Sequence, residues 1–216
     1  MRFSQNTVAS GWSLTKIAGG LQGVRTIVFD PFGNMLVSEA RKGISVHTFG
    51  ADGCIASSDV IIQDISLNHG LSLTPDGTTL YASSERSVSS WTYDPATRTV
   101  SNQKTVINGM STGIHPTRTI LVVPHQPHLV LVQVGSNSNL DMQSAQPGTG
   151  RAIVKIFDMS AAPATGYNYN TDGEVFAYGL RNEIGLTADP NGMIWGVENS
   201  GDVSRKQKAV VPSQSG

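Results

Sequence analysis

"NHGLSLTPDGTTLYASS", residues 68–84, places two apolar segments on either side of a Thr-Pro-Asp-Gly turn. Short apolar and β-branched segments bounded by Gly, Pro and Asp predict β-strands joined by a tight hairpin. The same arrangement recurs in "GVRTIVFDPFGNMLVSE" (23–39) and in "GLRNEIGLTADPNGMIWGVE" (179–198). A hairpin that recurs along the chain indicates a fold built from repeated sheets, such as a propeller.

A fourth unit, "GIHPTRTILVVPHQPHLVLVQVG" (113–135), keeps the order of strand, proline turn and strand but lacks the glycine of the other turns. The anchoring prolines of the four units lie 44, 49 and 66 residues apart, namely Pro31, Pro75, Pro124 and Pro190. No stretch shows a sustained helical period. The sequence therefore predicts an all-β chain with about four propeller blades, each of about four antiparallel strands, over residues 1–203. A divergent polar tail follows over residues 204–216.

Composition narrows the classes of function. The formal net charge is −1, from 15 basic and 16 acidic residues, and the one basic cluster is "SRKQK" near the end. We therefore expect no nucleic-acid partner and no binding to an anionic membrane surface. The single cysteine, Cys54, excludes an intrachain disulfide framework and a cysteine-based zinc site. No apolar run is long enough to span a bilayer, and the first residues show no signal peptide.

A propeller would bring distant polar residues together. The innermost strand of each blade lines the central channel, so residues at the start of these strands meet at one end of the axis. In this chain those positions hold polar and ionisable residues, namely Arg25, Asn68, His69, His115, Arg118, Arg181 and Asn182. The sequence therefore predicts one composite site that no single segment contains.

Three segments in a fixed order carry a resemblance to a known family: "HPTRTI" (115–120), "GSNSNLD" (135–141) and "GLRN" (179–182). With the hairpin units around them, the chain over residues 8–203 resembles the soluble quinoprotein glucose/sorbosone dehydrogenases, most closely the fungal pyranose dehydrogenase branch. The resemblance implies a six-bladed propeller that binds pyrroloquinoline quinone (PQQ) and calcium at one mouth of its channel and oxidises a sugar. It also implies an external electron acceptor, such as a haem domain or another redox partner, and an extracellular location.

The resemblance assigns roles to individual residues. His115 matches the catalytic base, beside which relatives often carry an acidic residue where this chain has Ile114. Arg181 and Asn182 match a pair that contacts the cofactor, and Arg181 would also stabilise the negative charge that develops on reduction. Further cofactor contacts are expected from Arg25, His69 and Arg118. The metal is expected near Glu198, Asn199 and Gly201.

Two other functions stay open at this point. A calcium-dependent sugar lactonase on a similar propeller would need acidic metal ligands in the channel, where this chain carries Arg and His. A non-catalytic propeller scaffold would need no convergent ionisable groups. Because four units are fewer than six blades, we expect the chain to supply one wall of a cofactor pocket and to be a weak dehydrogenase by itself.

Overall fold

The computed structural model describes residues 8–199. These residues form β-strands, and their helical content consists of three 3-10 turns at Met142–Ala145, Pro147–Thr149 and Met159–Ala161. The predicted all-β class is confirmed. The described part of the chain has no helix of the length and apolarity needed to cross a membrane. The strands are β1 Val24–Phe29, β2 Met35–Glu39, β3 Gly43–Phe49, β4 Ile55–Ile62, β5 Leu67–Leu73, β6 Thr79–Ser84, β7 Val88–Asp94, β8 Thr99–Asn108, β9 Ile120–Val122, β10 Leu129–Val134, β11 Ile153–Asp158, β12 Tyr167–Asn168, β13 Glu174–Tyr178, β14 Glu183–Ala188 and β15 Ile194–Glu198.

The strands form four sheets that follow one another along the chain. Sheet 1 has the order β1-β2-β3-β4, and sheet 2 has the order β5-β6-β7-β8 with β12 added in parallel beside β8. Sheet 3 has the order β9-β10-β11-β13, and sheet 4 is the pair β14-β15. All pairings other than β8-β12 are antiparallel. Such consecutive antiparallel sheets are the blades of a β-propeller, which confirms the predicted fold class.

The repeated turn has a simple physical cause. In sheet 1 the Asp30 carboxylate accepts hydrogen bonds from the backbone N–H groups of Phe32 and Asn34, both at 2.9 Å, and Gly33 has a φ of 80°. In sheet 4 Asp189 binds the N–H groups of its own turn in the same way, and Gly192 has a φ of 83°. An aspartate that caps its own turn and a glycine with positive φ close a tight hairpin without strain.

Apolar side chains between neighbouring sheets hold the blades together. One cluster joins sheets 1 and 2 and includes Leu36, Ile44, Leu71, Leu80 and Trp91. A second cluster joins sheets 2 and 3 and includes Tyr81, Ile107, Val130, Ile153 and Tyr169. Sheets 1, 2 and 3 therefore stabilise one another by burying the faces that lie between them.

The first strand of every sheet faces one common space. Strand β5 contacts β1 and β9, and β14 contacts β9. Between these four strands lies a cavity of about 170 Å³, lined among others by Thr26, His69, Thr119 and Ile184, one from each sheet or its leading segment. This cavity is the part of the propeller axis that the described residues enclose.

Sheets 1 to 3 each contain the four antiparallel strands that the sequence predicts for a blade. Sheet 4 contains two strands within the described residues, and the predicted tail 204–216 lies outside them, as does Gly201. The total number of blades stays a prediction.

Candidate functional site

Several contacts place the predicted site residues at the same end of the axis. His69 at the start of β5 donates from Nε2 to the carbonyl of Ile184 in β14 at 3.0 Å. Thr119, just before β9, donates to the carbonyl of Glu183 at 2.6 Å. The positive charge of Arg25 in β1 reaches His69 and helps to lower the pKa of its imidazole. The starts of all four inner strands are therefore neighbours.

His115 is a buried imidazole, 8% exposed, whose orientation is fixed by the backbone. Its Nδ1 lies 2.8 Å from the carbonyl oxygen of Ser136 and 3.1 Å from the hydroxyl of the same residue. A carbonyl can only accept a hydrogen bond, so Nδ1 carries a proton, and in the neutral form of the imidazole Nε2 carries the lone pair. Ile114 is 55% exposed and is an apolar side chain that cannot orient the ring. The carbonyl of Ser136 takes over the orienting role that an acidic neighbour would have.

The segment Gly135–Ser136 joins His115 to the Arg181–Asn182 pair. The Ser136 N–H donates to the carbonyl of Arg181 at 2.8 Å, while its carbonyl accepts from His115. A Cβ atom at Gly135 would lie 2.8 Å from Cβ of His115, 3.1 Å from the carbonyl oxygen of Arg181 and 3.3 Å from Oδ1 of Asn182. Only glycine leaves room for these groups to approach each other so closely.

Arg181 is partly exposed and is held by the chain around it. Its guanidinium donates to the carbonyl of Asn199 at 2.7 Å and to the side-chain oxygen of Asn139. Asn139 is itself placed by a turn in which the Asp141 carboxylate accepts from the N–H of Asn137 at 2.9 Å. The neighbouring Asn182 is buried, and its Oδ1 has no hydrogen-bond partner among the described residues.

Arg118 is buried more completely than any other predicted site residue, with 1% of its surface exposed. Its guanidinium donates to the carbonyls of Glu85, Ser111, His115 and Thr117. Burial lowers the pKa of Arg118 to about 10, so the group stays charged at neutral pH. These donors are committed to the backbone, and direct contact between Arg118 and a cofactor stays a prediction.

His69 and Arg25 occupy the mouth of the axial space. Burial is the largest cause that lowers the pKa of His69, the charge of Arg25 lowers it further, and the hydrogen bond to Ile184 opposes both. His69 is therefore a neutral imidazole near pH 7. Its Nδ1 is buried and has no partner in the described part of the chain, whereas Arg25 is exposed. A lone pair and a cation are thus both available to a ligand at this mouth.

The predicted metal region lies beside Arg181. A carboxylate oxygen of Glu198 accepts from the backbone N–H of Arg181, and Glu198 pairs across the sheet with Glu183. Burial, and next the charge of Glu198, raises the pKa of Glu183. Within residues 8–199 no group of three or more His, Cys, Asp or Glu side chains is placed to hold a metal ion. Glu198 and Asn199 are hydrogen-bonded to Arg181, and their role as metal ligands stays a prediction.

Sequence reasoning singled out the "GSNSNLD" loop for its position between His115 and "GLRN", with Asn139 and Asp141 as residues that order the site without touching a ligand. The residues in it that contact the site are Gly135, Ser136 and Asn139. Ser136 acts through its backbone carbonyl and N–H, with its hydroxyl also near Nδ1 of His115, and Gly135 acts through its lack of a side chain. Neither property has a sequence signal beyond the small size of the residues.

The chain is similar in sequence and in fold to known proteins. The sequence profile of the TrAA12-like family matches residues 6–215. A Pyrroloquinoline quinone-dependent pyranose dehydrogenase of Coprinopsis cinerea is 41% identical over 199 residues, which is 92% of this chain and 27% of that protein. The holo form of the PQQ domain of Pyranose Dehydrogenase from Coprinopsis cinerea has a TM-score of 0.87 and 41% identity over 90% of this chain and 48% of that domain. The calcium structure of a Carbohydrate-Active Enzymes Family AA12 protein from Trichoderma reesei has a TM-score of 0.86 and 35% identity, covering 93% of this chain and 52% of that one.

Proposed function

The chain belongs to the TrAA12-like family, and from this membership we propose that it takes part in PQQ-dependent oxidation of a pyranose-type sugar. The chain spans about half the length of the solved domains that it matches, so the activity of a whole protein is part of the proposal. The observation that carries it is the His115–Ser136–Arg181 arrangement. The carbonyl of Ser136 accepts from Nδ1 of His115 and its N–H donates to the backbone carbonyl of Arg181, so one residue holds a candidate base next to a residue that bears a guanidinium.

The residues at this end of the propeller axis fit one wall of a pocket for an anionic quinone. PQQ carries three carboxylates, for which Arg181 and Arg25 offer positive charge and planar hydrogen-bond donors. Two buried polar atoms without a partner in the described chain, Oδ1 of Asn182 and Nδ1 of His69, offer acceptors for polar hydrogens of a ligand. We propose that Arg25, His69, Arg181 and Asn182 hold the cofactor.

The chain's own residues then perform the proton transfer. When bound, PQQ would supply the acceptor for the hydride, which leaves the sugar carbon with its two electrons. His115 accepts the proton of the sugar hydroxyl at Nε2, since Nδ1 already donates to Ser136. Protonation makes the imidazole cationic, and the carbonyl of Ser136 stabilises that charge through the same hydrogen bond. Arg181 lies on the other side of Ser136 and stabilises negative charge that develops as the reaction proceeds.

Calcium forms part of the proposal as a Lewis acid beside the cofactor. Calcium takes oxygen ligands from carboxylates and backbone carbonyls, and Glu198 and Asn199 carry both kinds. In this structure those oxygens accept hydrogen bonds from Arg181. A sugar as the small-molecule partner and a haem domain or other redox protein as the electron acceptor belong to the same proposal, as does an extracellular location.

A non-catalytic scaffold remains the second candidate. The observation in its favour is that the contacts of Arg181 with Asn139 and Asn199 also fasten the loop 137–141 to the end of β15. A scaffold would use these contacts for stability alone. It would have no need of cofactor binding.

Titration with PQQ in the presence of calcium separates the two candidates. We expect the absorbance of the bound quinone to change in a saturable way with this chain. Arg181→Gln should weaken binding about 10-fold to 150-fold, the effect of losing one charge-assisted hydrogen bond. The matched control is Arg86→Gln, an exposed arginine in the turn between β6 and β7, which should bind as the wild type does. Absence of any saturable change in the wild type would favour the scaffold.

A further inference from the structure

The segment His115–Pro116–Thr117–Arg118 lies outside the strands, yet side chains bind every one of its carbonyls. Arg118 Nη1 donates to the carbonyls of His115 at 2.7 Å and Thr117 at 2.8 Å. Asn68 Nδ2 donates to the carbonyl of Pro116 at 2.9 Å, and the Ser83 hydroxyl donates to the carbonyl of Arg118 at 2.9 Å. Four successive peptide groups are therefore fixed without a strand partner.

Arg118 is the centre of this arrangement. Besides the two carbonyls of the segment, Nε donates to Glu85 at 2.9 Å and Nη2 donates to Ser111. The ion pairs of the described residues are Lys42–Glu39 and Arg151–Asp141, so this buried cation has no ion-pair partner among them and is balanced by carbonyl dipoles together with the charge of Glu85. A buried charge is a poor source of stability, and it is better explained by the geometry that it imposes.

The backbone around Arg118 leaves little freedom for rearrangement. A Cβ at Gly70 would lie 2.3 Å from the carbonyl oxygen of Arg118, so β5 passes directly against the segment. Asn68, Ser83 and Glu85 all belong to sheet 2 or its turns, whereas His115 leads into sheet 3. The guanidinium thus fixes the start of one inner strand against the neighbouring sheet.

We propose that Arg118 is the positioning residue of His115, and that Asn68 and Ser83 complete the clamp on the segment 115–118. Arg118 fixes the His115 backbone from the carbonyl side, and Ser136 then fixes the ring through Nδ1. The inference rests on the proposed role of His115 as the base. Arg118 acts through His115 and does not need to touch substrate or cofactor.

The test is a measurement of which nitrogen of His115 carries the proton. Two-bond proton–nitrogen NMR spectra of the labelled full chain report this for each histidine, and loss of one signal in His115→Ala identifies the residue. We expect the wild type to be protonated at Nδ1. In Arg118→Met the His115 signals should move toward the averaged values of two exchanging tautomers, while His47 and His69 keep theirs. Arg118→Lys should not restore the wild-type spectrum, because an ammonium cannot span four carbonyls with a planar fork.

Two further variants keep the test decisive if Arg118→Met does not fold. Asn68→Ala and Ser83→Ala each remove one hydrogen bond of the clamp. Each should move the His115 NMR signals part of the way toward the averaged values of two exchanging tautomers. Arg86→Met, an exposed arginine in the adjacent turn, is the matched control and should leave the spectrum unchanged. Wild-type His115 signals in all folded clamp variants would overturn the proposal, as would a wild-type His115 protonated at Nε2.

Turnover gives a second readout that depends on the proposed function. If the chain oxidises sugar, Arg118→Lys should lower kcat about 10-fold to 100-fold with KM within about threefold, because misplacement of a base affects the chemical step. Lack of turnover in the wild type would contradict the proposed function but would leave the NMR result unaffected. An unchanged kcat in Arg118→Lys would contradict the positioning role.

Discussion

His115 and Arg181 are joined through the backbone of one residue, Ser136. The carbonyl of Ser136 accepts from Nδ1 of His115 at 2.8 Å, and the N–H of Ser136 donates to the carbonyl of Arg181 at 2.8 Å. The two residues are 66 positions apart in sequence and belong to the leading segments of different sheets. The backbones of the proposed proton acceptor and the proposed charge stabiliser are therefore held at a fixed separation. This separation requires that Gly135, which lies between them, has no side chain.

Gly135 is the position where this relationship is most easily disturbed. In Gly135→Ala the new methyl group would lie 2.8 Å from Cβ of His115, so the neighbouring backbone has to shift. We expect the free energy of unfolding to fall by about 1–3 kcal/mol, the usual cost of overpacking. Urea denaturation measures this loss. Gly148→Ala is the control, because no atom lies within 4 Å of its new methyl group, and equal losses in both variants would contradict the steric argument.

The Asp30 turn of sheet 1 is tied to sheet 2 by Tyr93. The Tyr93 hydroxyl donates to the Asp30 carboxylate at 2.9 Å, and both groups are buried. In Tyr93→Phe we expect the free energy of unfolding to fall by about 1.5–3 kcal/mol, the range for a hydrogen bond to a charged group. Tyr178→Phe, at a side chain that is 56% exposed, should change it by less than about 0.5 kcal/mol. Thermal unfolding that ranks the two variants in the opposite order would refute this assignment.

Stability should decrease as the pH falls below 7. His47 is fully buried between the hydroxyls of Ser45 and Ser58, and burial is the main cause that lowers its pKa. The histidine pKa is about 6.5 in the unfolded chain and lower in the folded chain. As the pH falls below about 6.5, the unfolded chain therefore binds more protons than the folded chain, and the free energy of unfolding decreases. His69, whose pKa is also lowered, contributes in the same direction.

His47→Gln tests the share of His47 in that decrease. Urea titrations between pH 7.5 and pH 5.5 should give a shallower decrease in the variant than in the wild type. The exposed His125→Gln should keep the wild-type slope. A wild-type slope in His47→Gln as well would show that the buried network does not exclude the proton.

Much of the fold follows from the sequence because the inner strands have strong signals. Apolar residues and an Asp-Pro or Thr-Pro turn mark β1, β2, β5, β6 and β14, and the structure places all of them as the pattern predicts. The outer strands β4, β8 and β13 were not predicted as strands. Most of their residues are exposed, and segments such as "IASSDV" and "SNQK" lack the apolar alternation that identifies a half-buried strand.

The site was predictable only at the level of which residues approach one another. The inner-strand argument brings His69, His115 and Arg181 to one end of the axis, where the structure has them. The hydrogen bonds that orient them go to carbonyls of Ser136, Ile184 and Asn199. A carbonyl is present in every residue, so no residue type indicates which one will accept. For the same reason the sequence could not show that Arg118 donates to the backbone.

Oxidation of a panel of pyranoses, with PQQ and calcium supplied and a redox dye as electron acceptor, tests the central claim most directly. We predict measurable turnover by the wild type and a loss of about 100-fold to 10,000-fold in kcat for His115→Gln, the contribution of a general base, with PQQ affinity within about threefold. The exposed His125→Gln should turn over as the wild type does. A wild type that binds PQQ without oxidising any sugar, or a His115→Gln variant with wild-type kcat, would contradict the assignment of His115 as the base of a sugar dehydrogenase.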